Sequence, residues 1–370
     1  MKQKLVSFAV AIICGHSIAN AWPWMSPYAY CFGNPINCVD PDGRDVLIWY
    51  QDRKGNDQSF LYNGTQKKVP NNSFVLDFVH TYNYLKANNV GDNVVNAVKN
   101  HYVLTDGAMG TYYNLKYPAA NQAAELANIT RPREIIDIHK EYLMAGARIL
   151  RTNSFASNVQ VLCGKPLRTF TNWDEPLKQV HDNVCAAFKN AKAAAAECHV
   201  EAWIAGDIGP VPEQGASDDE ELTAQYETMA DALIASGAEM ILFETFADFR
   251  HILPTIKYIK AQANPVIMTS FCLNKFGYTK TGLSASGILK TAANSGLIDI
   301  VGFNCGIGSA HMENILKHVD LGDMLVSVVP NSGYPDLISD RQMYQENISY
   351  FCEHMKNIAG LGVNILGGCC

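Results

Sequence analysis

The chain has 370 residues, of which 48% are hydrophobic and 18% charged, and its formal net charge is −7. Such a composition fills a core and excludes a disordered or fibrous protein, while the excess of 36 acidic over 29 basic residues excludes the cationic surface of a nucleic-acid binder and favours a small-molecule partner. At about 150 residues per domain, the length allows two ordinary domains or one large α/β barrel with an appendage. Eleven cysteines, an odd number in a chain too long to need a disulfide scaffold, point to metal ligation or core packing.

At the N-terminus, Lys2 and Lys4 precede an apolar run from Leu5 to Cys14, and Ala19-Asn20-Ala21 supplies a small-x-small cleavage pattern. Residues 1–21 therefore read as a secretory signal, which implies export. The run is too short for a bilayer core of about 30 Å, so no stable membrane span is expected. From Trp22 to residue 98 the composition shifts to Asn, Asp, Gly and Tyr, with turn signals at NP (34–35), PDG (41–43) and NG (63–64) around short strands such as VLIWY (46–50). The stretch MSPYAYCFGNPINCVDPDGR (25–44) resembles the closing motif of Rhs-type repeat-associated core domains. No repeats precede it, so residues 22–98 are expected to form a small, irregular, loosely folded segment in which Cys31 and Cys38 are weak metal or disulfide candidates and ordinary thiols by default.

Beyond residue 98 short apolar runs alternate with amphipathic stretches. The runs are YVLTD (102–106), RILRTNSF (148–155), AWIAGDIG (202–209), MILFETF (240–246), PVIMTSF (265–271), DIVGFNC (299–305), MLVSVVPN (324–331) and NILGGCC (364–370). Near-continuous apolar strands indicate burial on both faces, as in a parallel sheet covered by helices. Helices are expected at 131–145, 176–198, 219–236, 248–262, 284–295, 309–321 and 339–359. Several helix-to-strand joints carry a glycine (AGARIL, SGAEMIL, SGLIDIV, GLGVNIL), which takes the left-handed position after a helix without a Cβ penalty. The pattern predicts a (β/α)8 TIM barrel over residues 99–370, with its last helix missing after strand eight. A doubly wound open sheet fits less well, because no GxGxxG opens a helix.

In such barrels the chemistry sits at the C-terminal strand ends. There the sequence places Asp106, Asn153, Asp207, Glu244, Cys305, Asn331, Cys369 and Cys370. Cys305 on strand six and the Cys369-Cys370 pair on strand eight face one mouth, and Gly367 and Gly368 let the backbone approach. Three thiolates suit a catalytic zinc that keeps one position open. Cys163, Cys185, Cys198, Cys272 and Cys352 read as core thiols. A zinc ion with three thiolates is better suited to holding a substrate thiolate than to making hydroxide. Asp106 and Glu244 are then suited to a substrate ammonium, so an amino-acid thiol such as homocysteine fits both features.

DGAMGT (106–111), ELANITRP (125–132), RTNSFASN (151–158), AGDIGP (205–210), ILFET (241–245), GFNC (302–305), PNSGYP (330–335) and GGCC (367–370) together resemble the homocysteine S-methyltransferase domain over about 270 residues, in order. The resemblance implies zinc bound by Cys305, Cys369 and Cys370, with methyl transfer to the homocysteine thiol forming methionine. It further implies that Asp106 and Glu244 hold the amino group and that the backbone around Gly107 and Ala108 lies near the carboxylate. Asn331 is implied as a fourth metal ligand when substrate is absent. DGAMGT looks more like the cobalamin-dependent methionine synthase branch, or the form fused to methylenetetrahydrofolate reductase, than the betaine branch. The methyl donor would be a methyl-corrinoid supplied by another protein, S-methylmethionine or betaine. The methyltransferase portion would be cytoplasmic, in competition with the exported reading of the N-terminus. A rival from another class is a non-catalytic secreted or surface-associated fusion carrying an inactive truncated barrel. An aldolase would need a Schiff-base lysine at a strand end, and none stands there.

Overall fold

The eight apolar runs form parallel strands that curl into a ring in the computed structural model of the chain, which describes residues 46–51, 57–62, 68, 70, 94–100, 102–118, 122–213, 219–332, 335–338, 341–344 and 348–370. The signal-like segment and the Rhs-like motif lie outside the described residues. A two-stranded hairpin comes first, β1 (Val46–Gln51) against β2 (Asp57–Tyr62). After α1 (Val94–Asn100) the barrel runs β3 (Val103–Leu104), α2 (Gly110–Lys116), α3 (Ala127–Thr130), α4 (Pro132–Met144), β4 (Ile149–Arg151), α5 (Val159–Cys163), α6 (Asp174–Cys198) and β5 (Trp203–Ile208). It continues through α7 (Asp219–Ala235), β6 (Met240–Phe246), α8 (Ile252–Lys260), β7 (Val266–Phe271), α9 (Ala285–Ser295), β8 (Ile300–Gly308), α10 (Ser309–Leu316) and β9 (Leu325–Asn331). A short hairpin of β10 (Pro335–Ile338) and β11 (Arg341–Tyr344), then α11 (Ile348–Gly360), lead to β12 (Ile365–Leu366).

The sheet order is β3-β12-β9-β8-β7-β6-β5-β4, and a bridge from Thr105 to Ile149 joins the two ends. The last strand pairs with the first, Ile365 opposite Val103, so the ring has no free edge to protect. Strand alternation sorts the side chains into two layers. Ile149, Ala205, Leu242, Met268 and Ile300 point inward and pack together, while Leu150, Ile241, Phe243, Val301 and Phe303 belong to the outer layers beneath the helices. Gly206 marks the outward face of β5: a Cβ there would stand 2.5 Å from Leu233 of α7, so the helix packs directly on the strand backbone.

The structure departs from the sequence reading in three places. Val94, Ala97 and Val98 of α1 pack against Val103, Ile149 and Met240 and close the N-terminal end of the barrel, so the expected boundary at 98/99 cuts through a helix that belongs to the barrel floor. A helix of two turns is too short to show a periodic signal. The helix expected from 339 starts only at Ile348, because the runs on either side of Ser339-Asp340 pair as a hairpin. Helices α2 and α5 were not anticipated, both being short. At the expected joints Gly146, Gly237, Gly296 and Gly362 all have positive φ, and Gly296 is itself the left-handed cap of α9.

One core residue makes the barrel acid-sensitive. His139 of α4 is fully buried and neither ring nitrogen has a partner; burial, reinforced by the charge of Arg151, pushes its pKa down to about 3. A histidine depressed in the folded state contributes stability that is whole above its unfolded pKa of about 6.5 and is lost as the pH falls toward the folded value. Near pH 5 that loss is roughly 2 kcal/mol. His139→Leu should therefore flatten the decline in melting temperature between about pH 7 and pH 5; a decline as steep as the wild type's would refute the assignment.

Candidate active site

One alternation beyond the apolar interior, the inward positions turn polar. Arg151 follows Ile149, Asp207 follows Ala205, Glu244 follows Leu242, Ser270 follows Met268 and Asn304 follows Gly302, and all five are buried. These are the C-terminal strand ends, where the barrel opens.

On one side of the mouth the sulfurs of Cys305, Cys369 and Cys370 lie within 4.8 Å of one another, with Cys369 and Cys370 3.9 Å apart. Two thiolates each about 2.3 Å from a tetrahedral zinc stand about 3.8 Å apart, so the three sulfurs fit one soft metal ion. Two backbone devices bring them together. Strand β8 breaks register between Asn304 and Gly308, and Cys305 itself adopts φ 55°, a left-handed conformation that costs a non-glycine residue about 1–3 kcal/mol and that clusters at functional sites. The next residue must be glycine: at Gly306, φ 71°, a Cβ would stand 2.4 Å from the Leu273 carbonyl. Beyond β12 the chain is held to β9, Cys369 N–H donating to Pro330 O (2.9 Å) and Ser332 N–H to Cys370 O (2.6 Å).

Asn304 positions the cluster from behind. Its Nδ2 reaches Thr245 Oγ1 at 2.6 Å and Cys369 Sγ at 3.7 Å, while its Oδ1 accepts from Ser270 Oγ at 2.9 Å. Hydrogen bonds from Cys272, Cys369 and Cys370 hold the Cys305 thiol well below the usual range, and the same crowding pushes Cys369 well above it. Cys272, expected to be a plain core thiol, thus belongs to the surroundings of the cluster, because it ends the strand beside β8.

On the other side stands a charge network that the sequence reading did not assemble. Arg151 Nε donates to Asp106 Oδ1 (2.7 Å), the Arg151 backbone N–H donates to Asp106 Oδ2 (2.9 Å), and Nη1 donates to Glu244 Oε1. Nη2 reaches three carbonyls, Asp106 (3.1 Å), Gly107 (2.7 Å) and Gly368 (3.0 Å), the last adjoining Cys369. Asp207 lies beside Glu244, and its Oδ1 has no partner.

The remaining rim residues divide. Asn331 is buried with its Oδ1 unpaired, at the end of β9. The carbonyl of Gly107 faces Arg151, and that of Ala108 accepts from Tyr142 Oη at 2.7 Å. Asn153 is a structural tie, its Nδ2 donating to Ala124 O and Asn128 Oδ1, so its place on the rim reflects packing. No lysine is buried among the described residues, which leaves the aldolase reading without a nucleophile.

A closed (β/α)8 barrel with convergent thiols on one side of its mouth and carboxylates on the other has the donor set of an enzyme that handles thiols. The family model for homocysteine S-methyltransferase matches residues 103–370, and the chain belongs to that family. It is 24% identical over 294 residues to methionine synthase of Mycobacterium tuberculosis and 25% identical over 281 residues to that of Mycobacterium leprae, covering 75% and 72% of this chain. It spans only 24% and 23% of the length of those two synthases. Among solved structures it resembles the homocysteine methyltransferase MmuM of Escherichia coli in an oxidized form (TM-score 0.59) and a metallated form (TM-score 0.55). Each is 20% identical, covering 75% of this chain and 95% of MmuM, which establishes the shared fold. The family match begins at residue 103 and lends the Rhs-like reading of residues 25–44 no support. No helix among the described residues is long and apolar enough to cross a membrane.

Proposed function

We propose that the chain transfers a methyl group to the thiol of homocysteine, forming methionine, with zinc held by Cys305, Cys369 and Cys370. The observation that carries this reading is the convergence of three sulfurs from β8 and the end of β12 within 4.8 Å at the C-terminal mouth. Zinc in that donor set would let a substrate thiol, with a free pKa of about 8.5, bind as the thiolate at neutral pH. The substrate sulfur, its proton released to solvent, would attack the donor's methyl carbon in a direct displacement, the new S–C bond forming as the bond to the donor breaks.

The chain's own residues orient the amino acid. Rim carboxylates would receive its ammonium group, and the backbone around Gly107 and Ala108 would lie near its carboxylate. Asn331 Oδ1, buried without a partner at the end of β9, would serve as a further metal ligand in the absence of substrate. A buried, unpaired amide oxygen costs about 1–3 kcal/mol unless something binds it, which supports that role.

The experiment supplies the zinc-loaded chain with homocysteine and, in turn, a methyl-corrinoid protein, S-methylmethionine and betaine. Methionine formed from one donor supports the reading and identifies the donor. Absence of methionine with all three, together with no stoichiometric zinc after dialysis, overturns it.

A further inference from the structure

Two non-glycine residues at the barrel mouth have a left-handed backbone, Thr245 of β6 (φ 63°) and Cys305 of β8 (φ 55°). For a β-branched side chain such as threonine that conformation is an outlier, and it persists only where the surroundings over-determine it. Each of the two sits in a break of strand register. Strand β6 passes from Phe243 to Phe246 while β7 passes only from Thr269 to Phe271, and β8 breaks against β9 between Asn304 and Gly308. The extra residue in β6 re-aims the side chains around it. Glu244 faces inward to Arg151, whereas Phe246, which strict alternation would also send inward, lies in the outer layer against Tyr226 of α7.

Strands β6 and β8 are not neighbours, since β7 lies between them, and Asn304 spans the gap. Its Oδ1 accepts from the Thr245 backbone N–H (3.2 Å) and, midway, from Ser270 Oγ of β7 (2.9 Å). Its Nδ2 donates to Thr245 Oγ1 (2.6 Å) and contacts Cys369 Sγ (3.7 Å). Thr245 thus offers Asn304 one donor and one acceptor, a two-point contact that a residue without a hydroxyl cannot make. Asn304 is fully buried, so its amide cannot turn over without leaving polar groups unpaired. Glu244 immediately precedes one end of this contact, and Cys305 immediately follows the other.

We propose that Thr245 and Asn304 form a clasp that couples the two ends of the acceptor site, holding the Cys305 and Cys369 thiols and the Glu244 carboxyl in one fixed relation. Both are positioning residues, and loss of the Thr245 hydroxyl loosens the metal end and the amino-acid end together. The assignment rests on the methyl-acceptor reading above and adds to it the device that aligns its parts. Arg151 makes a separate link, from Glu244 to the Gly368 carbonyl. Thr245 is therefore the position at which the clasp can be opened without removing a charge, a thiol or a carboxylate.

The test compares the full wild-type chain with Thr245→Val, which keeps the shape and loses the hydroxyl, and Thr245→Ser, which keeps the hydroxyl. Zinc affinity is read by competition with a coloured chelator. The amino-acid end is read by calorimetric titration of the zinc-loaded chain with L-homocysteine and with 4-mercaptobutyrate, which is homocysteine without its amino group. Thr245→Val should weaken zinc by about ten-fold. It should also reduce the preference for homocysteine by about five-fold or more, because coupled ends lose together. Thr245→Ser should stay near the wild type in both, a rescue that a merely structural role would not give. Thr245→Ala replaces the valine variant if that one misfolds. A folded hydroxyl-free variant that keeps either the zinc affinity or the preference of the wild type overturns the clasp, as does a serine variant equally impaired in both. A wild-type chain that binds zinc without preferring homocysteine overturns the methyl-acceptor reading, and this proposal with it.

Discussion

Replacing Cys305 with alanine is expected to abolish zinc binding and methyl transfer while leaving the barrel folded. Substitutions in the residues that merely orient metal ligands weaken metal affinity by about ten- to hundred-fold, so removal of one of three thiolates should exceed that range. The fold should survive because Cys305 contributes sulfur to the mouth rather than bulk to the core, and alanine meets the same backbone demand at φ 55° as cysteine does. Asn304→Ala provides the graded comparison. It keeps all three sulfurs but removes the amide that links Thr245, Ser270 and Cys369, so zinc affinity should fall within that smaller range. Metal content after dialysis and the rise in melting temperature on adding zinc both report the effect, since a ligand that binds only the folded state stabilises it. A folded Cys305→Ala chain that retains one zinc per molecule would show that the cluster is not the metal site.

The thiol cluster was legible in the sequence because each cysteine ends an apolar run, and in a parallel barrel every such end faces the same way. The spacing along the chain was uninformative; the strand count brought Cys305 and Cys369 together. The floor helix and the β10–β11 hairpin were not legible, since short elements draw their identity from what they pack or pair against. Arg151 was the larger omission. It stood within a quoted motif, but a charged residue inside a strand is ordinarily read as a boundary, because buried arginine is rare unless paired. The available signal was alternation: Ile149 faces the interior, so Arg151 does too, and an inward guanidinium requires carboxylates at its own height. Asp106 and Glu244 are those carboxylates, and Arg151 pairs with both.

Arg151→Met should consequently be among the most destabilising single substitutions in the barrel. Methionine keeps much of the volume but leaves Asp106 and Glu244 buried without their counter-ion, and breaking a buried pair by removing one partner costs about 3–5 kcal/mol. A kcal/mol shifts the melting temperature by roughly 2–4 °C for 150–250 residues and by somewhat less for a longer chain, so the melting temperature should fall by about 4–8 °C. The loss should depend on pH in a definite direction. Burial already raises Asp106 above its ordinary range against the pull of Arg151, and removal of the guanidinium raises it further. A carboxyl raised in the folded state contributes stability that is complete below its unfolded pKa and is lost as the pH climbs through the folded value, so the variant's deficit should be larger at about pH 8 than at about pH 5. Arg151→Lys should restore little, because an ammonium cannot span Asp106, Glu244 and the carbonyls of Gly107 and Gly368 at once. Since the bond to Gly368 adjoins Cys369, zinc affinity should fall together with the melting temperature. A variant that is pH-independent in its deficit, or that melts like the wild type, would show that Arg151 is not the tie between the carboxylates and the metal loop.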